Sequence, residues 1–220
     1  MRALSQIDNL AKAACLSGMV TFMSVPRILT TNLPWVYIPF SFFVGILICA
    51  AVTAWSYTDG LNGLLRSPRE TLAATAVVLV IVALALPFQI YVLDPHYRGL
   101  LEEAGGGSNL LAQFPQTIME WVGLALWSAG FQILFFVAAP ICYFARLTHR
   151  LWLAVALTVL FHLYVMSRQC GTYGLNGSIT LLLFFTLITG MISCVFFVRA
   201  GLIPVMLLTV GLKIHLLWQL

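Results

Sequence analysis

Seven apolar stretches, each close to the length that carries a helix across a bilayer, decide what this chain can fold into. They run over 10–26, 35–57, 71–93, 116–145, 151–167, 178–198 and 202–219. A hydrocarbon layer about 30 Å thick is crossed by about 20 apolar residues in a helix. The expected fold class is therefore all-α, a polytopic transmembrane helix bundle of about seven spanning helices, with six to eight as the range, forming one domain over 1–220. Pro26, Pro34 and Pro39 blur the end of the first stretch and the start of the second. Composition closes the alternatives. Only 11 Lys and Arg and 7 Asp and Glu serve 220 residues that are 61% hydrophobic, too few to cover a water-soluble surface. Soluble enzyme folds, nucleic-acid binders and secreted disulfide scaffolds are excluded, and the net charge of +4 becomes a guide to topology.

The connecting segments carry turn chemistry: Asp59, Gly60, Asn62 and Gly63; Asp94 and Pro95 followed by Gly105, Gly106, Gly107 and Ser108; then Gly171, Gly174, Asn176 and Gly177. With the N-terminus in the cytoplasm, the inner segments hold Arg2, Lys12, Arg66, Arg69, Arg146, Arg150 and Arg199, and the outer ones Arg27, Arg98 and Arg168. Seven against three favours that orientation, and places the loop bearing Glu102 and Glu103 outside. The Asn176-Gly177-Ser178 sequon carries no weight. The first stretch follows Asp8, contains Lys12 and lacks a small-residue cleavage site, so it reads as a retained helix rather than a signal peptide. Cys15, Cys49, Cys142 and Cys194 lie in apolar runs without metal-ligand spacing and read as buried thiols. Cys170, at a loop beside Arg168 and Gly171, is the one candidate for thiolate chemistry, and its neighbours supply no base.

Ionisable groups inside spanning segments are costly, and each is a functional-site hypothesis. Four stand out: Glu120, His162, Lys213 and His215. Counted from the outer helix ends, they share one depth, as the lining of a polar chamber open to the outer leaflet would. Ordinary roles compete with that reading. A histidine can bond a backbone carbonyl, Lys213 can snorkel, and Glu120 can pair with Lys213 for packing specificity. Trp121, Trp127, Trp152 and Trp218 mark interfaces. Two histidines and a carboxylate separated by 42 and 53 residues match no ligand pattern, so no metal and no other cofactor is expected.

From the fourth stretch onward the order of segments is distinctive: FQILFFVAAP, the basic turn ARLTHR, LWLAVALTVLFHLYV, the loop CGTYGLNGS, then LLLFFTLITGMISCVFFVRAGLIPVMLL. Residues 116–220 resemble the CAAX-protease and bacteriocin-processing family of intramembrane proteases, CPBP or Abi, most closely over ITGMISCVFFVRAGLIPVMLL. Residues 1–110 match only in being hydrophobic. The resemblance implies a glutamate that activates water, with histidines and an asparagine holding that water and an oxyanion. Here the glutamate pair falls on Phe131-Gln132 or Gln132-Ile133, and the family arginine on Phe136 or Val137. Glutamine cannot take a proton from water at neutral pH, so Gln132 is no general base. Two registers remain for the later motifs. One uses Phe161-His162 and the pair His215 and Gln219. The other, anchored on Arg199, Gly201 and Pro204, puts the family histidine near Thr209, its asparagine near Lys213, and the earlier histidine near Val165.

Three explanations fit the missing glutamate: an inactivated variant with Gln132 replacing Glu, a divergent enzyme whose carboxylate has moved to Glu120, or a pseudoprotease that keeps the bundle and its groove. Losing glutamate and arginine together favours the last. The functional expectations are correspondingly two. One is a CPBP-like endopeptidase acting on a membrane-anchored polypeptide near the outer leaflet through Glu120 or Gln132, His162, His215 and Gln219, with Lys213 and Thr209 along the substrate groove. The other is a non-catalytic subunit that binds a partner transmembrane helix. The partners expected are the lipid bilayer and a membrane-anchored protein or peptide, with no nucleic acid, in a bacterial or archaeal plasma membrane. A retinal-type or transport protein, prompted by seven helices and Lys213, lacks repeated halves.

Overall fold

The structure, a computed structural model, describes residues 7–31, 34–56, 61, 64, 66–103, 114–172 and 180–220. Arg2, the turn residues Asp59, Gly60, Asn62 and Gly63, the segment from Gly105 to Ser108, and Gly174 with the Asn176-Gly177-Ser178 triplet lie outside them. So do the side chains of Glu102, Glu103, Cys170 and Gln219. Every regular element among the described residues is helical. Helix α1 spans Ile7–Thr30 and α2 Tyr37–Trp55. Helix α3, Pro68–Phe88, passes through a π-turn at Gln89–Leu93 into α4, Asp94–Glu103. Helix α5, Ile118–Trp127, passes through π-turns at Ser128–Gln132 and Leu134–Ala138 into α6, Ala139–Thr148. Then come α7, Leu151–Thr172, α8, Thr180–Ala200, and α9, Leu202–Gly211, followed by a 3-10 segment at Ile214–Gln219.

Six of these helical rods, with continuous α3–α4 and α5–α6 each taken as one, are long and apolar enough to cross a membrane, and a shorter apolar helix runs over Leu202–Trp218. The chain is a polytopic all-α integral membrane protein. Pro26 does not end the first helix, which continues to Thr30. Helix prolines are tolerated in lipid when local adjustments restore the lost backbone bonding. Two of the three π-turns end just before a proline, at Pro95 and Pro140. The wider turn gives room for a ring that would otherwise strike the carbonyl four residues back. This is why Asp94-Pro95 continues a helix instead of opening the expected loop.

Small residues and polar bonds set the helix contacts, as expected where apolar surface has no water to flee. The side chain of Asn9 donates to Ala50 O at 3.2 Å and accepts from Thr53 Oγ1 at 2.6 Å, which joins the start of α1 to the end of α2. Farther along, Ser17 Oγ donates to Phe42 O at 2.7 Å, so the pair is antiparallel. Gly45 faces Ser17, and Gly123 of α5 lies where a Cβ would come within 3.0 Å of Arg27 N. The end of α1 therefore meets the start of α5. We call this the far end, and the end holding Asn9 and Thr53 the near end. Lys12, Arg66, Arg69, Arg146, Arg150 and Arg199 belong to the near end, and Arg27, Arg98, Arg168 and Lys213 to the far end.

Helix α9 starts at the near end and packs one face against the bundle, with Pro204, Val205 and Leu208 fully enclosed while Ile203 and Leu207 stay exposed. It begins at Gly201, whose φ of 84° lies in the left-handed region that side chains rarely adopt. There Leu202 N donates to Leu64 O at 2.8 Å and Arg66 Nη2 donates to Val198 O, tying the segment before α3 to the turn. A Cβ on Gly201 would lie 2.6 Å from Leu64 O. Gly201→Ala is therefore expected to cost about 2–3 kcal/mol from the combined backbone strain and clash, read as a lowered unfolding midpoint in detergent micelles.

Candidate functional site

The last helix stops inside the bundle. After Gly211 the α-helical ladder breaks, and carbonyls that a further turn would have used must find other donors. Leu212 O accepts from Gln89 Nε2 at 3.1 Å and lies 2.7 Å from His215 Nδ1. Lys213 O accepts from Trp121 Nε1 at 2.8 Å and from Leu216 N at 3.1 Å. Three side chains, from the π-turn after α3, from α5 and from the 3-10 segment, cap one broken helix end.

His215 joins the cap to a charge. Its Nε2 lies 3.2 Å from Asp94 Oδ1, and both side chains are about nine-tenths buried. With Nδ1 donating to Leu212 O, this second contact bonds only when a proton lies between Nε2 and the carboxylate. Lys213 interacts electrostatically with Arg27 and Asp94, and Arg27 with Glu120. Glu120 itself sits at the helix start. Its carboxylate accepts from Gln116 N at 2.7 Å and its own N–H bonds Thr117 Oγ1 at 3.2 Å, an N-terminal capping arrangement. Beside the Asp94–His215 pair lies a cavity of about 400 Å³ lined by Ile90, Asp94, Pro95, Arg98, His215 and Trp218.

Three of the four intramembrane groups picked out by charge, Glu120, Lys213 and His215, thus belong to one far-end network. His162 does not share their depth. Helix α7 runs on to Thr172, so His162 lies well inside it, and its ring stacks on Phe136 at 5.2 Å and 12°. Phe136 is 16 residues beyond Glu120 in the same rod, about 24 Å at 1.5 Å per residue. Gln132 is 12 residues from Glu120, about 18 Å by the same rise, and its partly buried side chain lies one turn from Phe136. Neither His162 nor Gln132 has a side-chain hydrogen bond or ion pair with a described residue. Thr209 Oγ1 donates back to Val205 O at 3.0 Å within its own helix.

Around His162 the packing is aromatic. Trp127, Phe131 and Phe135 stack in sequence at 5.9 and 5.7 Å, and Phe136 also meets Phe161 at 6.3 Å. Gly190 leaves room for the imidazole, since a Cβ there would lie 3.4 Å from Nδ1. No group of three or more His, Cys, Asp or Glu that could hold a metal occurs among the described residues. Cys49, Cys142 and Cys194 are buried, as their apolar surroundings imply, while Cys15 is exposed on the bundle surface.

Sequence reading missed Asp94, Arg27, Gln89 and Arg98. Asp94 beside a proline looked like a turn, and Arg27 like a flanking charge. The usable signal was spacing: Asp94 and Arg98 are four apart, on one helix face.

Fold and site together define a polytopic helical membrane protein with a charged, partly enclosed end. Among known protein families, curated proteins and solved structures, none matches the chain.

Trp121→Phe keeps the ring and removes the donor to Lys213 O. It is expected to destabilise the fold by about 0.5–1.5 kcal/mol, the net worth of one hydrogen bond, because Leu216 N still reaches the same carbonyl. Gln89→Leu acts on the adjacent carbonyl. The two losses should fall short of additivity in a double-mutant cycle of unfolding in micelles, because both loosen the same helix end.

Proposed function

We propose that the chain is a non-catalytic, CPBP-like membrane subunit that binds a membrane-anchored partner. One observation carries the reading. Phe136, at the position the resemblance gives to the family arginine, lies flat on His162, and Phe131, at a position it gives to the glutamate pair, stacks on the neighbouring Phe135. A glutamic-type peptidase needs an ionised base within hydrogen-bond reach of its water and donors fixed at the oxyanion. Stacked rings around His162 supply neither, and Glu120, the displaced-carboxylate candidate, is engaged at a helix start about 24 Å away along the rod. The six described Lys and Arg at the near end against four at the far end support a cytoplasmic near end. A bacterial or archaeal plasma membrane follows only from the family resemblance.

In the endopeptidase alternative His215 would be the working residue beside Asp94, but its Nδ1 is held by Leu212 O and its Nε2 faces Asp94, so neither ring nitrogen is open to a water molecule. The two readings separate in one experiment. The protein is reconstituted in vesicles with a set of single-span reporter polypeptides, and products are read by mass spectrometry. No cleavage is expected from the wild type. Cleavage abolished by His215→Ala or His162→Ala would overturn the non-catalytic reading. A photo-crosslinker placed at Phe135, which is 39% exposed beside the stack, should capture a membrane protein in cells, and capture of lipid alone would count against partner binding.

A further inference from the structure

The two contacts of His215 fix how many protons the Asp94–His215 pair must hold. Nδ1 lies 2.7 Å from Leu212 O and Nε2 lies 3.2 Å from Asp94 Oδ1, so both ring nitrogens face acceptors. A neutral imidazole carries one N–H and can serve one of them. Both contacts stand together only when the pair carries one proton more than a neutral histidine beside a carboxylate. That proton belongs to the pair as a unit, whether it is written on the ring or on the carboxyl group. Both side chains are about nine-tenths buried, so little solvent screens a bare nitrogen lone pair turned towards either acceptor.

The pair also ties two elements together. His215 lies in the 3-10 segment at Ile214–Gln219, and Asp94 opens α4. Gln89 and Trp121 hold carbonyls that precede that segment, on Leu212 and Lys213. Within the segment, Leu216 packs beside Leu93 and Phe114. The cavity of about 400 Å³ beside the pair is lined in part by the exposed Arg98 and Trp218, so it reaches the surface and gives protons a route to the pair.

We propose that the Asp94–His215 pair is a proton-operated latch, which holds the C-terminal 3-10 segment against α4 while it carries its extra proton and releases the segment as pH rises. The sign follows from the proton count. Loss of the proton leaves one N–H for two acceptors, and whichever contact the ring keeps, the other becomes repulsive. The charged and titratable groups around the pair are His96, Tyr97 and Arg98 on α4, Lys213 beside the segment, Arg27 at the end of α1 and, through Arg27, Glu120 on α5. Their fields set the pH at which the latch opens and leave its direction unchanged. The latch does not rest on the partner-binding reading.

Hydrogen–deuterium exchange of the full chain in detergent micelles, read by mass spectrometry and corrected for the intrinsic pH dependence of amide exchange, tests it. As pH rises, the amides of Ile214–Gln219 should pass through one step to about tenfold faster exchange, the loss expected for one charge-assisted hydrogen bond. Those of α2 should stay unchanged. Asp94→Asn should remain protected with no step, because its side-chain N–H donates to an unprotonated Nε2 and a neutral ring then satisfies both neighbours. His96→Gln removes the neighbouring imidazole and should keep the step. The latch is overturned by no step in the wild type, by a step or fast exchange in Asp94→Asn, by loss of the step in His96→Gln, or by a parallel step in α2. Should Asp94→Asn fail to fold, the ring nitrogen NMR resonances of His215 in the wild type read the same event. Their change over the pH interval of the exchange step supports the proposal, and a step without that change overturns it.

Discussion

A helix that ends inside a membrane bundle has to place its last carbonyls somewhere, and here that requirement organises the far end. The donors are Gln89, Trp121 and His215, acting on Leu212 O and Lys213 O. Each donor comes from a different part of the chain, so one backbone constraint fixes the relative positions of the π-turn after α3, the start of α5 and the C-terminal segment. His215 then holds Asp94, and through Lys213 and Arg27 the same region reaches Glu120. The charges are a consequence of where the helix stops.

The near end depends on a different local device. Gly201 turns the chain with a φ that other residues rarely adopt, and the backbone bond from Leu202 to Leu64 locks the turn against the segment before α3. This sets α9 with its Pro204, Val205 and Leu208 face buried against the bundle and Ile203 and Leu207 on the outside. The course of α9 brings Lys213 and His215 to the far end. Gly201 and Pro204 thus each have a direct physical role, one in turning the chain and one in the buried face of α9.

Between the two ends the interior carries no described charge and is mostly aromatic and apolar, with buried hydroxyls at Ser17, Ser128, Thr158 and Ser193. Trp127, Phe131, Phe135 and Phe136 run along one rod, and Phe136 closes over His162. A bundle with ionised groups at this depth would need each of them paired or wetted. Stacked rings avoid that cost and leave His162 as a packing group seated against Gly190. The charged groups are thus gathered at one end of the bundle, away from the aromatic middle.

Apolar runs alone determined the helical class, the number of crossings within one, and most helix limits, because a bilayer demands length and hydrophobicity and both are written residue by residue. They also picked out Glu120, Lys213 and His215, since a charge in a span is conspicuous wherever it lies. The prolines misled: Pro26 does not end α1, and Pro95 continues a rod through a π-turn, so Asp94 belongs to the site and not to a loop. His162 was expected at the depth of the others, and the longer α7 sets it beside Phe136. Which charges meet, and which histidine stays apart, was decided only by the tertiary structure. Partners 121 and 92 residues away along the chain, Asp94 for His215 and Trp121 for Lys213, are chosen by helix packing, and no periodicity within one helix encodes them.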